Sequence, residues 1–232
     1  AAGLGTRMKS QTPKLLHELA GRPMVAYVVD AGREATGRRP LVVTSPATAA
    51  VREALGDQVD YALQSEPRGT GDAIAAALAA LPDDVDEILV LTGDAPLLEA
   101  SLLTELLEAR RLDEAAIALV AVDAIDPAHL GRVIRDEAGT VERIVERKDA
   151  TDEEGAVNEI NSGLYVFEAA WLRERKKPTC PISARPASCG VTGTTVTSAR
   201  LNNRNSSRVE SGCAIGSSVK AQARMGARKA WY

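Results

Sequence analysis

Apolar and polar positions alternate along residues 1–175 with two distinct periodicities. Apolar residues three or four positions apart predict helices, and short apolar runs bounded by glycine, proline or polar residues predict strands. The predicted helices cover residues 23–35, 48–55, 70–81 and 98–112. The predicted strands cover residues 41–44, 61–64, 88–92, 117–122 and 164–167. This alternation predicts an α/β fold with a mostly parallel sheet and helices on both faces.

Both ends of this alternating region show further features. Residues 132–135 and 141–146 flank a turn-forming segment, which predicts a β-hairpin. The segment 161–163 (Asn-Ser-Gly) favours a turn before the last strand. The chain opens on a glycine-rich loop, and in an α/β unit such a loop follows a buried strand. We therefore expect a strand of about 5–7 residues ahead of Ala1.

Composition and charge divide the chain into two parts. The 232 residues suffice for one large domain with a short appendage. Residues 176–232 carry a net charge of about +9, against about −13 for residues 1–175. We predict a domain over 1–175 and a separate basic, Ser/Thr-rich tail over 176–232. The tail lacks interleaved aromatic residues and a recognised fold, so no nucleic-acid partner is expected.

Location follows from what the sequence lacks. It has no apolar run of about 18 residues and no secretory leader, which predicts no membrane association. Its three cysteines are widely spaced in the tail, which favours a reducing compartment. We expect a cytoplasmic protein.

The opening loop, residues 1–8, is the first candidate for chemistry. Its glycines let a phosphate approach backbone N–H groups, and Arg7 and Lys14 add positive charge. An ordinary glycine-rich turn is the alternative interpretation. The dinucleotide pattern GxGxxG does not fit, because Met8 occupies its third glycine position.

Two later strand ends offer further candidates. Gln64 ends a strand, and Gly69 and Thr70 begin the following helix, where anions are favoured. The Gln64 amide offers a donor and an acceptor for reading a base, whereas Gly69 and Thr70 could also form a simple helix cap. Asp94 follows the most apolar strand, so it is a candidate Mg²⁺ ligand at the carboxyl edge of the sheet, or else a turn former.

Five segments together resemble a known family. AAGLGTRMKSQTPKLLHELAGRPM, LQSEPRGTGDAI, LTGDAPLL, GRVIRDEAGTVERIVERKDATDEE and EINSGLY occur in the order seen in bacterial N-acetylglucosamine-1-phosphate uridyltransferase, which is the N-terminal half of a bifunctional enzyme. The resemblance covers residues 1 to about 170. It implies a Rossmann-like nucleotidyltransferase (nucleotide-diphospho-sugar transferase) fold. It also implies that UMP passes from UTP to N-acetylglucosamine-1-phosphate with Mg²⁺ as cofactor, a step in cell-wall precursor synthesis.

The resemblance assigns roles residue by residue. It places Ala1, Ala2 and Gly3 at the uridine and phosphates, with Arg7 and Lys14 as catalytic phosphate contacts. The nucleotide-binding set also contains Gln64, Gly69, Thr70, Thr92, Gly93 and Asp94, of which Asp94 holds Mg²⁺. The sugar-binding set contains Gly131, Glu146 and Asn161.

Beyond Arg175 the sequence departs from the family. Leu201-Asn202-Asn203-Arg204 is similar to the family motif that supplies a second metal ligand, so Asn202 is a candidate Mg²⁺ ligand. A single hexapeptide-like rung at residues 215–219 is too short to form the β-helix of the acetyltransferase half. The sequence does not fix the oligomeric state. A different sugar or base specificity and a non-catalytic nucleotide-binding module both stay open as alternatives.

Overall fold

The computed structural model describes residues 1, 10, 12–66 and 69–174 together with the backbone of residues 196–202 and 219–221. Its helices are α1 Met24–Thr36, α2 Ala50–Leu55, α3 Thr70–Leu78, α4 Ala100–Leu112, α5 Asp152–Gly155 and α6 Ala169–Glu174. Its strands are β1 Glu18–Leu19, β2 Arg22–Pro23, β3 Leu41–Thr44, β4 Asp60–Leu63, β5 Glu87–Val90, β6 Ile117–Asp123, β7 Arg132–Arg135, β8 Val141–Val145, β9 Glu159–Glu168, β10 Val196–Asn202 and β11 Val219–Ala221. Short 3₁₀ helices cover Lys14–Leu16, Pro46–Thr48 and Gly56–Gln58.

The main sheet has seven strands in the order β11-β10-β6-β9-β7-β8, and β5 also pairs with β9. The α/β class is confirmed, but the prediction of a mostly parallel sheet needs correction. β10 runs parallel to β6 and β11, whereas β9 runs antiparallel to β5, β6 and β7. Apolar periodicity reports which face of a strand is buried and carries no information on strand direction. A second, two-stranded sheet pairs β3 and β4 in parallel.

Strand β6 shows how the sheet divides two cores. Its residues Ile117, Leu119 and Ala121 pack in a cluster with side chains of α3 and α6. The alternate residues Ala118 and Val120 pack against leucines of α4 on the opposite face. All five are fully buried. Helices therefore cover both faces of the sheet, as predicted.

The predicted hairpin is confirmed as β7 and β8, which pair antiparallel. Asp136 and Thr140 close its turn through a backbone hydrogen bond of 2.9 Å, and Gly139 adopts a φ of +82° there. Glycine suits this left-handed conformation because it has no side chain to collide with its own backbone.

The turn predicted at residues 161–163 is wrong. These residues lie inside β9, where the pairing with β6 shifts register between Leu119 and Ala121. Gly163 has a φ of +79°, so the residue types that favour a turn here form a bulge instead. The bulge lies between the part of β9 that pairs with β5 and the part that pairs with β7.

Other differences from the predicted elements are local. β5 is half-buried along its length, although its apolar sequence predicted burial on both faces, and it pairs only with β9 among the described strands. The β1–β2 pair and α6 were not predicted, because each is too short to show a periodicity.

β10 and β11 belong to the segment predicted as a tail, yet they extend the main sheet. The domain boundary near residue 175 stays a prediction. No helix in the described part of the chain is long and apolar enough to cross a membrane.

Candidate nucleotide-binding site

The loop after β5 lies at the carboxyl edge of the main sheet. β5 and β6 are both antiparallel to β9, so they run in the same direction and end at the same edge. Ligands of open α/β sheets bind at this edge. Thr92, Gly93 and Asp94 follow β5 there, and the half-exposed carboxylate of Asp94 accepts a 2.6 Å hydrogen bond from Lys14 Nζ.

Lys14 is brought to Asp94 by the packing of its neighbour. Lys14 begins a 3₁₀ helix whose next residue, Leu15, is buried against Val25 of α1. A Cβ placed on Gly93 would lie 3.2 Å from both methyl carbons of Leu15. A glycine at position 93 therefore lets the 3₁₀ helix approach the loop closely enough for the ion pair to form.

The electrostatics of Asp94 keep its carboxylate charged. Burial by itself would raise the pKa of Asp94, but the hydrogen bond and positive charge of Lys14 outweigh it, and the Thr92 hydroxyl also donates to the carboxylate. The net effect holds the pKa of Asp94 below its ordinary value. Ala1 packs against the apolar cluster that contains Leu15, the residue after Lys14.

Gln64 lines an open cleft beside the start of α3. The cleft has a volume of about 450 Å³ and is bounded by Leu63, Gln64, Ser65, Glu66, Asp72, Ala75 and Ala76. Gln64 is only 3% exposed, and its Nε2 donates to Gly69 O at 3.3 Å and to Asp72 Oδ2 at 2.8 Å. Gly69 has a φ of +119° directly before Thr70, the first residue of α3. The three predicted base-reading residues therefore lie close together: Gln64 lines the cleft, Gly69 accepts a hydrogen bond from it, and Thr70 follows Gly69 at the start of α3.

The three predicted sugar-binding residues also come together. Asn161 N donates to Gly131 O at 2.9 Å, and a Cβ placed on Gly131 would lie 3.7 Å from Glu146 Oε1. The Asn161 amide is oriented by two contacts, since Nδ2 donates to the Tyr165 hydroxyl at 2.6 Å and Oδ1 accepts from Gly163 N at 3.0 Å. Gly131 precedes β7, Glu146 follows β8 and Asn161 lies within β9, so only the folded sheet unites them.

Gly163 connects this group to the loop after β5. A Cβ placed on Gly163 would lie 3.0 Å from Thr92 Cγ2. Thr92 in turn donates to Asp94. The predicted sugar-binding and metal-binding residues are therefore parts of one continuous packed edge.

Two arginines that the sequence interpretation missed lie beside the predicted sugar-binding residues. Arg132 is only 2% exposed and donates to the backbone carbonyls of Pro127, Ala128, Leu130 and Gly155. Arg135 donates to both carboxylate oxygens of Glu159 at 2.6 and 2.8 Å, which ties β7 to β9. Charged residues in a strand normally indicate a solvent-facing side, so periodicity gave no signal for either one.

Some predicted residues fall outside this description. Ala2, Gly3 and Arg7 lie outside the described residues. For Asn202 the structure gives the backbone, which ends β10 opposite Asp123 at the carboxyl edge. The role of these four, like that of every other site residue, stays a prediction.

The donor set at Asp94 fits a magnesium ion. The described residues contain no cluster of three or more His, Cys, Asp or Glu side chains, which a metal held by protein alone would need. Mg²⁺ bound with a nucleotide takes only one or two carboxylates, and the phosphates and water complete its shell. One half-exposed carboxylate with a depressed pKa meets that requirement.

The fold and this edge define the class as a nucleotidyltransferase-like α/β protein. Residues 1–156 match the MobA-like NTP transferase domain, and the chain belongs to that family. It is 42% identical over 185 residues to the bifunctional protein GlmU of Heliobacterium modesticaldum, a match that covers 80% of this chain and 40% of that protein. It is 45% identical over 177 residues to the bifunctional protein GlmU of Caldanaerobacter subterraneus subsp. tengcongensis, covering 76% of this chain and 38% of that protein. The chain thus spans about two fifths of the length of these relatives.

Solved structures share the fold at low sequence identity. A putative glucose-1-phosphate thymidylyltransferase from Bacillus anthracis is 17% identical with a TM-score of 0.66, covering 86% of this chain and 84% of that one. A CMP:2-keto-3-deoxy-manno-octonic acid synthetase complexed with CTP is 18% identical with a TM-score of 0.60, covering 83% and 85%. These likenesses confirm the predicted nucleotidyltransferase-like fold.

Proposed function

We propose that this chain transfers UMP from UTP to N-acetylglucosamine-1-phosphate, giving UDP-N-acetylglucosamine and pyrophosphate. The observation that carries the proposal is the Lys14–Asp94 pair at the carboxyl edge, next to Gly163 and the three predicted sugar-binding residues. Identities of 42–45% to bifunctional GlmU proteins over about three quarters of the chain support this choice of substrates. Since UTP is an intracellular metabolite, we place the activity in the cytoplasm.

The reaction is an exchange at phosphorus. An oxygen of the sugar phosphate attacks the α-phosphorus of UTP, and the bond from that phosphorus to the pyrophosphate oxygen breaks. The attacking phosphate is already ionised, so the protein needs no strong general base. Positioning the two substrates and neutralising charge provide the rate enhancement.

The proposed site residues divide this work. Gln64, Gly69 and Thr70 hold uracil at the cleft, while Gly131, Glu146 and Asn161 hold the N-acetylglucosamine portion. Lys14 neutralises phosphate charge, and Arg7 of the opening loop is proposed to do the same. Asp94, with Asn202 as a candidate second ligand, holds the metal, and Mg²⁺ when bound supplies positive charge to the triphosphate and its leaving group.

The Lys14–Asp94 pair has a specific place in this scheme. In the structure, Lys14 and Asp94 neutralise one another at 2.6 Å. A bound Mg²⁺–triphosphate brings both an anion for Lys14 and a cation for Asp94. Lys14 then pairs with phosphate in place of Asp94, and Asp94 pairs with the metal in place of Lys14. Neither charge is left buried without a partner of opposite sign.

Pyrophosphate release from UTP and N-acetylglucosamine-1-phosphate tests the proposal. We expect Asp94→Ala to lower turnover by about 100-fold or more, the cost of removing one charge-stabilising group. Asp84→Ala is the matched control, since Asp84 is exposed and lies before β5, at the opposite end of the strand from Asp94. No release from the unmodified chain, with every variant folded, contradicts the proposal.

The same assay separates the alternatives. Glucose-1-phosphate or TTP as the preferred substrate would indicate a different sugar-1-phosphate nucleotidyltransferase. UTP binding by calorimetry without turnover would indicate a non-catalytic nucleotide-binding module.

A further inference from the structure

The side-chain amide of Gln64 has a single orientation fixed by its surroundings. Nε2 lies 2.8 Å from Asp72 Oδ2 and 3.3 Å from Gly69 O, and both of these atoms only accept hydrogen bonds. The amide nitrogen therefore faces them, and its two hydrogens are both used. The remaining polar atom of the side chain, Oε1, can only accept.

We propose that Asp72 is a positioning residue that makes the cleft selective for the base. It holds the Gln64 amide so that Oε1 accepts from a base with an N–H donor, as uracil and thymine have at N3. Cytosine presents an acceptor at N3, so two acceptors would face each other without a proton between them. The inference rests on the proposed function, because it assumes that the cleft at Gln64 receives the base of the nucleotide.

The geometry of the neighbourhood explains why Asp72 is needed. The Gly69 carbonyl is the more distant partner, at 3.3 Å, and its contact alone is weak. Asp72 supplies the shorter, charge-assisted bond, which is about twice as strong as a neutral one. Without it the amide can rotate by half a turn, and Nε2 then offers a donor that suits cytosine.

A purely structural role for Asp72 predicts something different. Asp72 lies in the first turn of α3, where a carboxylate stabilises the helix by interacting with its dipole. Loss of that interaction would weaken the helix and lower affinity for all nucleotides together. The ratio of affinities for two nucleotides that differ only in the base would stay constant.

Calorimetry with Mg²⁺–UTP and Mg²⁺–CTP on the full chain distinguishes these roles. We expect the unmodified chain to bind UTP about 10- to 100-fold more tightly, because a buried acceptor left unpaired is costly. Asp72→Ala should bring the ratio close to one, mainly by tighter CTP binding, and Asp72→Glu should restore part of it. Asp84→Ala, a matched substitution outside the cleft, should leave the ratio unchanged.

Each contrary outcome has a distinct meaning. A ratio that Asp72→Ala leaves intact, or equal binding of UTP and CTP by the unmodified chain, overturns the role of Asp72 and leaves the proposed function standing. No binding of either nucleotide overturns the proposed function and this inference with it. If Asp72→Ala does not fold, Asp72→Leu takes its place, because leucine has a similar shape and cannot accept a hydrogen bond from Gln64 Nε2. An unchanged ratio in that variant overturns the inference.

Discussion

Gly163 links the predicted sugar-binding residues to the loop that carries Asp94, and its replacement by alanine tests that packing directly. Its φ of +79° costs an alanine about 1–2 kcal/mol, partly offset by about 0.4–1 kcal/mol from the stiffer unfolded chain. The new methyl would also lie 3.0 Å from Thr92 Cγ2, closer than normal contact. Such overpacking adds about 1–3 kcal/mol. We expect Gly163→Ala to lower the free energy of unfolding by about 2–4 kcal/mol, measured by urea denaturation.

Gly139 provides the matched control for this substitution. Its φ of +82° is almost the same, but a Cβ there would meet nothing within 4 Å. Gly139→Ala therefore measures the backbone cost alone, about 1 kcal/mol. The difference between the two variants isolates the contact with Thr92.

Thr92→Ser supplies the second half of the test. It removes the methyl group that collides and keeps the hydroxyl that donates to Asp94. In the Thr92→Ser background, Gly163→Ala should cost no more than Gly139→Ala, and the interaction energy of the double-mutant cycle should be about 1–3 kcal/mol. Equal costs for the two glycine substitutions, or no relief from Thr92→Ser, would refute the reasoning.

Two further predictions concern ion pairs that hold the sheet together, in addition to those for Asp94 and Asp72. Arg135→Met leaves the buried Glu159 carboxylate without its bidentate partner, so we expect it to lower the free energy of unfolding by about 3–5 kcal/mol, measured by urea denaturation. The control Arg38→Met, at an exposed site, should change that free energy by no more than about 0.5 kcal/mol. Equal effects of the two substitutions would contradict the assigned pairing. Burial alone would raise the pKa of Glu87, but hydrogen bonds from two arginines of α4 hold that pKa below its ordinary value of 4.5. Glu87 therefore contributes its full stabilisation above about pH 4.5, and that stabilisation declines as the pH falls further. The difference in unfolding free energy between the parent and Glu87→Gln should thus be larger at pH ~6 than at pH ~3. A constant difference would count against the assigned shift of the Glu87 pKa.

Much of the element order can be predicted from residues 1–175 alone. α1 ends at Thr36 with Gly37 in the left-handed conformation, as a glycine after the last apolar position indicates. β3 covers the four residues predicted for it, and the hairpin of β7 and β8 follows from its turn residues. These features depend on backbone preferences and on burial of one face, and both of these are local properties of the sequence.

The bulge of β9 shows where local reasoning ends. The same residue types, with a glycine at φ +79°, suit a turn between elements or a bulge within one strand. β6 decides between the two, because it pairs with β9 on both sides of the bulge and continues the strand through it. The direction of β9 likewise depends on its neighbours and not on its own residues.

Sequence by itself predicted the types of residue at the site: an acid after an apolar strand, a lysine in the first segment, an amide at a strand end and, through the family resemblance, a glycine–glutamate–asparagine set. Only the tertiary structure decided which of them meet. Lys14 and Asp94 are 80 positions apart and form their ion pair because Leu15 packs against Gly93. The sequence likewise held no sign that Asp72 contacts Gln64 or that Arg132, next to Gly131, lies buried. Such contacts arise when separate segments pack side by side, and the spacing of residues within a segment does not encode them.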